Sequence, residues 1–289
     1  MAPTTWIRAG RTRIAPTPSG LLHAGNAFNF LLTERLAKAS NSKLVLRIDD
    51  LDAERRRPEY IEDIFRSLEW LGIRIDEGPS GPEDFLRNWS QERRIPRYEA
   101  VAEVLRKLGA MYRCTCSRSQ LEAMDVDGTE HPCRTIGLGC TAVSASWRLR
   151  IDAPCPVHVL LVSGPSEPLD LTSLLHDPVL LQRNSGRPAY QLASLCDDVD
   201  MGITFIVRGS DLLPSTACQL HLADLLGLEA FSRVRFQHHP VMVGANGQKL
   251  SKSAGASSLQ AMRSAGHGPE AIVRSVDRYV EEMEKGLSA

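Results

Sequence analysis

The feature that most constrains the fold is an alternation of short apolar segments with a longer helical pattern near the start of the chain. Residues 12–15 form a short strand-like segment that runs into a proline- and glycine-rich loop, after which an apolar periodicity typical of a helix covers Ala24–Ala39. A second apolar segment, residues 43–48, follows. Because a strand, a helix and a strand in this order form a right-handed crossover between parallel strands, the pattern predicts an α/β fold with a parallel sheet.

The same alternation continues along the chain with one interruption. Further helices are predicted at residues 58–71, 98–108, 189–199 and 214–226, and further strands at 179–183, 203–207 and 236–243. A cysteine-bearing stretch at 114–140 and alternating strand patterns at 147–162 interrupt the sequence of strands and helices. We expect residues 179–183 to return the chain to the parallel sheet after this interruption.

These elements predict a Rossmann-type nucleotide-binding catalytic domain with a smaller inserted α+β subdomain. The expected division is a first half at residues 1–109, the inserted subdomain at 110–176, a second half at 177–255 and a short helical tail at 256–289.

Charge and cysteine content exclude several classes of protein. The formal net charge is −1, so no global positive field attracts nucleic acid, and RNA contacts would need local basic patches. No segment approaches the roughly 20 apolar residues of a membrane span, and the N-terminal segment lacks the apolar core of a signal peptide. Seven cysteines fit metal ligation or buried thiols better than a secreted disulfide framework. We therefore expect a cytoplasmic, monomeric protein without membrane contact.

The loop between the first strand and the first helix carries His23, Gly25 and Asn26. Nucleotides bind at such turns in doubly wound folds, because a helix N-terminus presents unpaired N–H groups and the positive end of its dipole to phosphate. Gly25 would let a ribose or base approach the backbone, and His23 could hydrogen-bond a phosphate oxygen. Alone, the pattern is as typical of an ordinary helix start with a turn glycine and a surface histidine.

A second loop, KLSKS at residues 249–253, contains Lys249 and Lys252. Two lysines in a loop usually face solvent. The order of the two loops, however, resembles that of class I aminoacyl-tRNA synthetases, in which they hold ATP from both sides. The resemblance implies that His23 and Lys252 are catalytic and stabilise the α-phosphate while a carboxylate displaces pyrophosphate. It also implies ATP contacts by Gly25, Asn26 and Lys249, with a Mg²⁺ ion held mainly by phosphates and water.

Five further segments narrow the resemblance to the glutamyl-tRNA synthetase catalytic domain. They are RIAPTPSG at 13–20, LRIDDLD at 46–52, AYQLA at 189–193, the pair Asp197 and Asp198, and IVRG at 206–209. The match runs from about residue 11 to about residue 255. It implies a glutamate site formed by Arg13, Ala15, Thr17, Asp49, Tyr190 and Arg208.

The roles that this resemblance implies agree with the chemistry of glutamate. Arg13 and Arg208 would bind its carboxylates and Asp49 its ammonium group, while Tyr190 would close the pocket. Two guanidinium groups and one acid suit an amino acid with two carboxylates and one ammonium. Singly, such arginines are more often surface ion-pair partners and such an aspartate a strand-end cap.

Four positions differ from the family's usual pattern. Asp49 stands where Glu is usual, which shortens the side chain by about 1.5 Å; Thr17 replaces Ser, Ser194 replaces Asn, and Asp200 replaces His. A pocket built to hydrogen-bond a polar group discriminates strongly, so activation of another acidic amino acid is an alternative.

The segment after KLSKS is too short for the anticodon-binding part of a complete glutamyl-tRNA synthetase. Length and motif order resemble the truncated glutamyl-queuosine tRNA(Asp) synthetases, which attach glutamate to a modified anticodon base rather than to the tRNA 3′ end. The resemblance implies glutamyl-adenylate formation and transfer to an anticodon stem-loop. Two alternatives stay open: a ligase of this fold with a non-tRNA acceptor, and a non-catalytic RNA-binding protein.

The cysteine-bearing stretch predicts a structural zinc site. Cys114, Cys116 and Cys133 supply three ligands in a pattern similar to that of the same families. Structural zinc requires four N or S ligands, so either Cys140 or His131 would complete the set. The alternative is a lost site with free thiols.

Overall fold

The first predicted crossover is present. The computed structural model describes residues 8–117, 119–121, 123, 131–136, 144–165, 168–241 and 258–286. Strand β1 (Arg11–Ile14) leads through a loop into helix α1 (Ala24–Ala39), and strand β2 (Lys43–Leu46) pairs parallel to β1. The predicted strand, helix and strand are thereby confirmed.

The remaining predicted helices are also present, with ends displaced by a few residues. The other elements that carry labels below are α2 (Pro58–Trp70), α3 (Ile95–Lys107), β3 (Met111–Cys114), β4 (Ser146–Leu149), β5 (Leu160–Leu161), β6 (Val179–Leu181), α4 (Tyr190–Asp200), β7 (Phe205–Gly209), α5 (Leu213–Leu225), β8 (Arg235–His239), α6 (Leu259–Ser264) and α7 (Glu270–Gly286). Shorter helical turns lie at Pro82–Asp84, Phe85–Trp89, Gln91–Arg94, Pro132–Ile136, Leu171–Ser173, Ser210–Leu212 and Glu229–Ser232, and short strands at Pro156–Val157, Gly164–Pro165 and Leu169–Asp170.

A parallel sheet in the order β2, β1, β7, β8, β5 forms the centre of the molecule. β7 pairs parallel to β8, and β8 pairs parallel to β5. Just before β7, the N–H of Thr204 donates to the carbonyl of Arg11 at 2.8 Å, and the carbonyl of Thr204 accepts from the N–H of Arg235 at 3.1 Å. These two hydrogen bonds join β1 and β2 to β7 and β8. This arrangement is the Rossmann-type core that the sequence predicts.

Helices cover both faces of this sheet because alternate strand residues point to opposite sides. Val45 and Ile206 belong to one apolar core, which α3, α4 and α5 cover. Leu46, Phe205 and Val207 belong to the other, which α1, α2 and α7 cover. Strands buried on both faces read as continuous apolar runs, as these do. None of the helices in the described ranges is long and apolar enough to cross a membrane.

Two expectations about strand partners were wrong. β6, within residues 179–183, does not join the parallel sheet but pairs antiparallel with β4, which pairs antiparallel with β3. β5, which we expected in the inserted subdomain, pairs instead with β8 of the parallel sheet. An alternation of two or three residues shows that a strand is half buried, but its partner is chosen by tertiary packing.

The C-terminal helices belong to the core rather than to a separate appendage. In α7, Ile272 and Val276 are buried in the apolar core beside α1. The Tyr279 ring packs edge-on against Phe28 at 5.7 Å, and its hydroxyl accepts a hydrogen bond from Gln237 of β8 at 2.9 Å. α7 therefore stabilises the strand end and the helix that carry the candidate site.

A matched pair of substitutions tests this role of α7. Val276→Ala removes buried apolar volume and should lower the free energy of unfolding by about 2 kcal/mol. Val104→Ala, on an exposed position of α3, should change it by less than about 0.5 kcal/mol. Urea unfolding of both variants measures the difference, and equal effects would show that α7 does not contribute to the core.

Candidate active site

A cavity of about 300 Å³ lies at the carboxyl ends of the central strands. In doubly wound sheets ligands bind at this edge. Of the residues that the sequence singles out, the following line the cavity: Arg13, Ala15, Thr17, His23, Gly25, Asn26, Tyr190 and Arg208. The fold thus brings together the predicted ATP residues of the first loop and most of the predicted amino-acid residues.

His23 is fixed in orientation by the start of α1. It is the N-cap residue of the helix: its Nδ1 accepts from the N–H of Gly25 at 3.1 Å, and its own N–H donates to Asn26 Oδ1 at 3.0 Å. Because Nδ1 is an acceptor, the neutral ring carries its proton on Nε2. The ring therefore offers an N–H donor at the positive end of the helix dipole, which suits a phosphate oxygen.

Lys249 and Lys252 lie outside the described residues, but the chain on both sides of them is anchored at the cavity. Val241 lines the cavity. Ser258 forms an antiparallel bridge with His23, and the N–H of Leu259 donates to Leu22 O at 2.7 Å.

Arg208 is a buried cation without a counter-ion in the described part of the chain. Its guanidinium lies over the Phe236 ring, 5.5 Å from the ring centroid, and Nη1 donates to Thr216 Oγ1 at 3.2 Å and to Gln219 Oε1 at 3.0 Å. Nε and Nη2 are buried, and no described residue accepts from them. Burial lowers the pKa of Arg208. Since buried donors without acceptors are costly, this edge of the guanidinium is suited to an anionic ligand.

Two other buried arginines are already paired. Arg13 donates through Nε to Asp198 at 2.9 Å, and Arg47 donates through Nη1 to the same carboxylate at 2.6 Å. Arg47 also holds Asp49 with Nε at 2.7 Å and Nη2 at 3.2 Å. Burial alone would raise the pKa of Asp198, but the guanidinium groups of Arg13, Arg47 and Arg208 outweigh burial and hold it below its usual value.

Among the described residues, Arg208 is the buried arginine of the cavity for which no carboxylate lies within ion-pair distance. Arg13 pairs with Asp198, and Arg47 pairs with Asp198, with Asp49 and, at 4.0 Å, with Asp197. A carboxylate on a ligand would give Arg208 the kind of partner that the other two arginines already have.

Asp49 is placed differently from the expectation that it faces a substrate ammonium group. It does not line the cavity, and besides its pair with Arg47 it accepts from the Gln91 amide at 3.3 Å. Burial raises the pKa of Asp49, although Arg47 opposes this shift. Its contact with the substrate ammonium group stays a prediction. That contact would require Asp49 to leave Arg47 and turn towards the cavity.

Sequence reasoning missed several residues of the site. The partners of Arg208 are Thr216 and Gln219 on α5, and Thr216 also contacts His238 Nε2 at 2.9 Å. Burial lowers the pKa of His238 to about 4, so the ring adds no second charge beside Arg208 at neutral pH. Nothing in the sequence around Thr216 and Gln219, which lie within a helical apolar pattern, indicates that they belong to the site. A charged residue inside an apolar strand is unusual, so Arg47 could have been recognised as a candidate.

A second cluster brings together four potential metal ligands. Cys114, the last residue of β3, and Cys116 meet His131 and Cys133 at the start of the helical turn Pro132–Ile136, and their ligand atoms all lie within 4.8 Å of one another. Cys114 Sγ is 3.5 Å from His131 Nε2, and Cys116 Sγ is 3.7 Å from Cys133 Sγ. A tetrahedron with zinc–sulfur bonds of about 2.3 Å has edges of about 3.7 Å, so the spacing fits a zinc ion. Cys140, the alternative fourth ligand, lies outside the described residues.

Comparison with known proteins gives a consistent family. The model of the catalytic domain of class I tRNA synthetases (E and Q) matches residues 10–137 and 165–287. A glutamyl-Q tRNA(Asp) synthetase of Nitratidesulfovibrio vulgaris is 36% identical over 274 residues, which cover 89% of this chain and 82% of that protein. A glutamate–tRNA ligase of Nitrosospira multiformis is 35% identical over 283 residues, which cover 93% of this chain and 57% of that protein.

The fold agrees with these relatives. A glutamate–tRNA synthetase structure from Elizabethkingia anophelis superimposes with a TM-score of 0.69 at 27% identity, covering 85% of this chain and 53% of that one. The chain thus spans little more than half the length of the glutamate–tRNA ligases that it matches, but most of the length of the glutamyl-Q tRNA(Asp) synthetase.

Proposed function

The chain belongs to the catalytic-domain family of the class I tRNA synthetases for glutamate and glutamine, and on that premise we propose that it activates glutamate with ATP and transfers the glutamyl group to a tRNA. The observation that carries the proposal is Arg208, whose Nε and Nη2 face no acceptor among the described residues although both atoms are buried. A carboxylate can accept from both atoms at once. Because the α-carboxylate is consumed in adenylation, the carboxylate that stays with Arg208 is the one on the glutamate side chain.

The other cavity residues take the roles that the resemblance implies. Arg13 adds positive charge beside the carboxylates, Ala15 and Thr17 contact the amino acid, and Tyr190 covers it. Asp49 binds the ammonium group when it turns from Arg47 towards the cavity. Because Asp49 and Thr17 differ from the usual residues, a related acidic amino acid is the alternative substrate.

ATP binds against the start of α1 in this proposal. The His23 Nε2–H donates to a phosphate oxygen, while Gly25 lets a ribose or base approach the backbone and Asn26 contacts the nucleotide from the same side of the cavity. Lys249 and Lys252 stabilise the charge on the α-phosphate while pyrophosphate leaves. Mg²⁺ is held mainly by the phosphates and water. No general base is needed, because the attacking carboxylate is already ionised near neutral pH.

We propose the queuosine base of tRNA(Asp) as the acceptor, rather than the tRNA 3′ end. The names of two relatives support this choice: both are glutamyl-Q tRNA(Asp) synthetases, and the chain covers 82% and 83% of their lengths. A small-molecule acceptor and a non-catalytic RNA-binding role are the alternatives. The N-cap hydrogen bonds of α1 hold the His23 ring in one orientation. Because RNA binding does not require this orientation, the non-catalytic role is disfavoured.

We also propose that Cys114, Cys116, Cys133 and His131 hold a structural zinc ion. Their ligand atoms all lie within 4.8 Å of one another, and one bound cation would compensate the charge of closely spaced thiolates. Zinc would tie the end of β3 to the short helical segment and stabilise both.

Activation is tested by ATP–pyrophosphate exchange, first without and then with tRNA, with each amino acid offered in turn. Glutamate should support exchange far better than glutamine. Arg208→Met should lower kcat/KM for glutamate at least about 30-fold, because it removes one partner of a buried charge pair. Arg233→Met, which removes an exposed guanidinium, should leave it unchanged. Lys252→Ala should lower exchange with every amino acid.

Three results of this assay would contradict the proposal. Exchange with another amino acid alone would mean that Asp49 and Thr17 redefine the pocket. An unaffected Arg208→Met variant would remove the role of that residue. Absence of exchange under all conditions would exclude the adenylating activity.

The acceptor is tested by transfer of radiolabelled glutamate. tRNA(Asp) that contains queuosine should be labelled, whereas queuosine-free tRNA(Asp) and tRNA(Glu) should not. Labelling of the 3′ end of tRNA(Glu) would point to the ordinary aminoacylation reaction. If glutamate is activated but no tRNA is labelled, the acceptor is of another class.

The zinc proposal is tested by elemental analysis of purified protein. Wild type and Cys218→Ala, which removes a buried thiol elsewhere, should each contain about one zinc per chain. Cys133→Ala and His131→Ala should lose most of it, and Cys140→Ala should retain it. Loss in Cys140→Ala with retention in His131→Ala would assign the fourth ligand to Cys140, and retention in Cys133→Ala would exclude the site.

A further inference from the structure

The way in which Arg208 is held carries an inference about selectivity. Thr216 and Gln219 are fully buried on α5 and face the same atom, Nη1 of Arg208. The two residues are three positions apart, so they lie on the same face of the helix. Together with the Phe236 ring beneath the guanidinium, they fix its position and the direction of its plane.

Both acceptors are neutral, unlike the acceptors of the other two buried arginines. Arg13 and Arg47 donate to the carboxylates of Asp198 and Asp49, which cancel their charge. A hydroxyl and an amide oxygen hold Arg208 without cancelling its charge. The Nε–Nη2 edge thereby keeps its hydrogen-bonding capacity, and no carboxylate of the described residues is bonded to the guanidinium.

Each acceptor keeps an oxygen lone pair for Arg208. Thr216 Oγ1 lies 3.2 Å from the carbonyl oxygen of Leu212 and 2.9 Å from His238 Nε2, and whichever of these takes its single proton, a lone pair accepts from Nη1 of Arg208. Gln219 uses its oxygen for Arg208, and its Nε2 is buried with no acceptor among the described residues. An unpaired buried amide lowers stability, so a carboxylate at position 219 would suit the isolated fold better than this amide does.

We propose that Thr216 and Gln219 are positioning residues that set the selectivity of the pocket for a carboxylate, an inference that rests on the proposed function. They bind Nη1 so that the Nε–Nη2 edge faces the side-chain carboxylate of glutamate. Because they are neutral, this carboxylate is the counter-ion of Arg208. An acidic residue at either position would occupy Arg208 within the protein and reduce discrimination between glutamate and an uncharged amino acid.

The first test is Gln219→Glu, which keeps the shape of the side chain and adds only a charge. In pyrophosphate exchange the KM for glutamate should rise about 10- to 100-fold, the range expected from loss of a charge-assisted interaction. The KM for ATP should stay within about threefold. The thermal unfolding midpoint should be unchanged or higher, because the new carboxylate pairs with Arg208. A purely structural role of Gln219 would move both KM values together or lower the unfolding midpoint.

The second test compares two substitutions of Thr216. Thr216→Val keeps the shape and removes the oxygen, so the KM for glutamate should rise about 3- to 10-fold. Thr216→Ser keeps the oxygen and removes a methyl group, so it should restore most of the affinity. A role in packing alone predicts the opposite order, with valine tolerated and serine impaired.

Failure of this inference can be distinguished from failure of the proposed function. If wild-type protein shows no glutamate-dependent exchange, the proposed function and this inference are both overturned. If wild type activates glutamate but Gln219→Glu does so with an unchanged KM, only the inference is overturned. The same holds if Thr216→Val keeps the wild-type KM and Thr216→Ser loses it.

Discussion

The arrangement of the cavity follows from how its buried arginines are paired. Arg13 and Arg47 form ion pairs with carboxylates, whereas no ion pair is formed by Arg208 within the described residues, and two of its buried N–H donors have no acceptor there. A buried cation without a bonded partner lowers the stability of a fold. A negatively charged ligand that pairs with Arg208 would offset this cost, so the unpaired guanidinium links the stability of the apo protein to ligand recognition.

The fold explains how these charges can be held so close together. Arg13 is on β1 and Arg208 on β7, adjacent parallel strands that end at the same edge of the sheet. Helix α1 begins at that edge, and its N-cap aims the ring of His23. Through Tyr279, helix α7 contacts Phe28 of α1 and Gln237 of β8, so the last helix of the described chain supports elements that carry the site. Strands and a helix start therefore position the residues proposed to bind the amino acid and those proposed to bind the nucleotide on adjoining sides of one cavity.

Patterns with local physical causes were predictable from the sequence. Helix periodicity located the long helices, and the combination of motifs identified most residues that line the cavity. The strand partners of β5 and β6 were not predictable, because short strands take their partners from tertiary packing. The pairing of Asp49 with Arg47 depends on a contact that no spacing reveals, and Gln219 meets Arg208 only because α5 folds back on β7. The sequence left the fourth ligand of the cysteine cluster open, and the fold brings His131 into the cluster.

The most direct measurement of the central claim is a crystal structure of the protein soaked with glutamate. We expect the side-chain carboxylate in the cavity with its two oxygens about 2.8 Å from Nε and Nη2 of Arg208, while Nη1 stays bound to Thr216 and Gln219. Glutamate bound with its side chain elsewhere, and Arg208 still without an anion, would contradict the account.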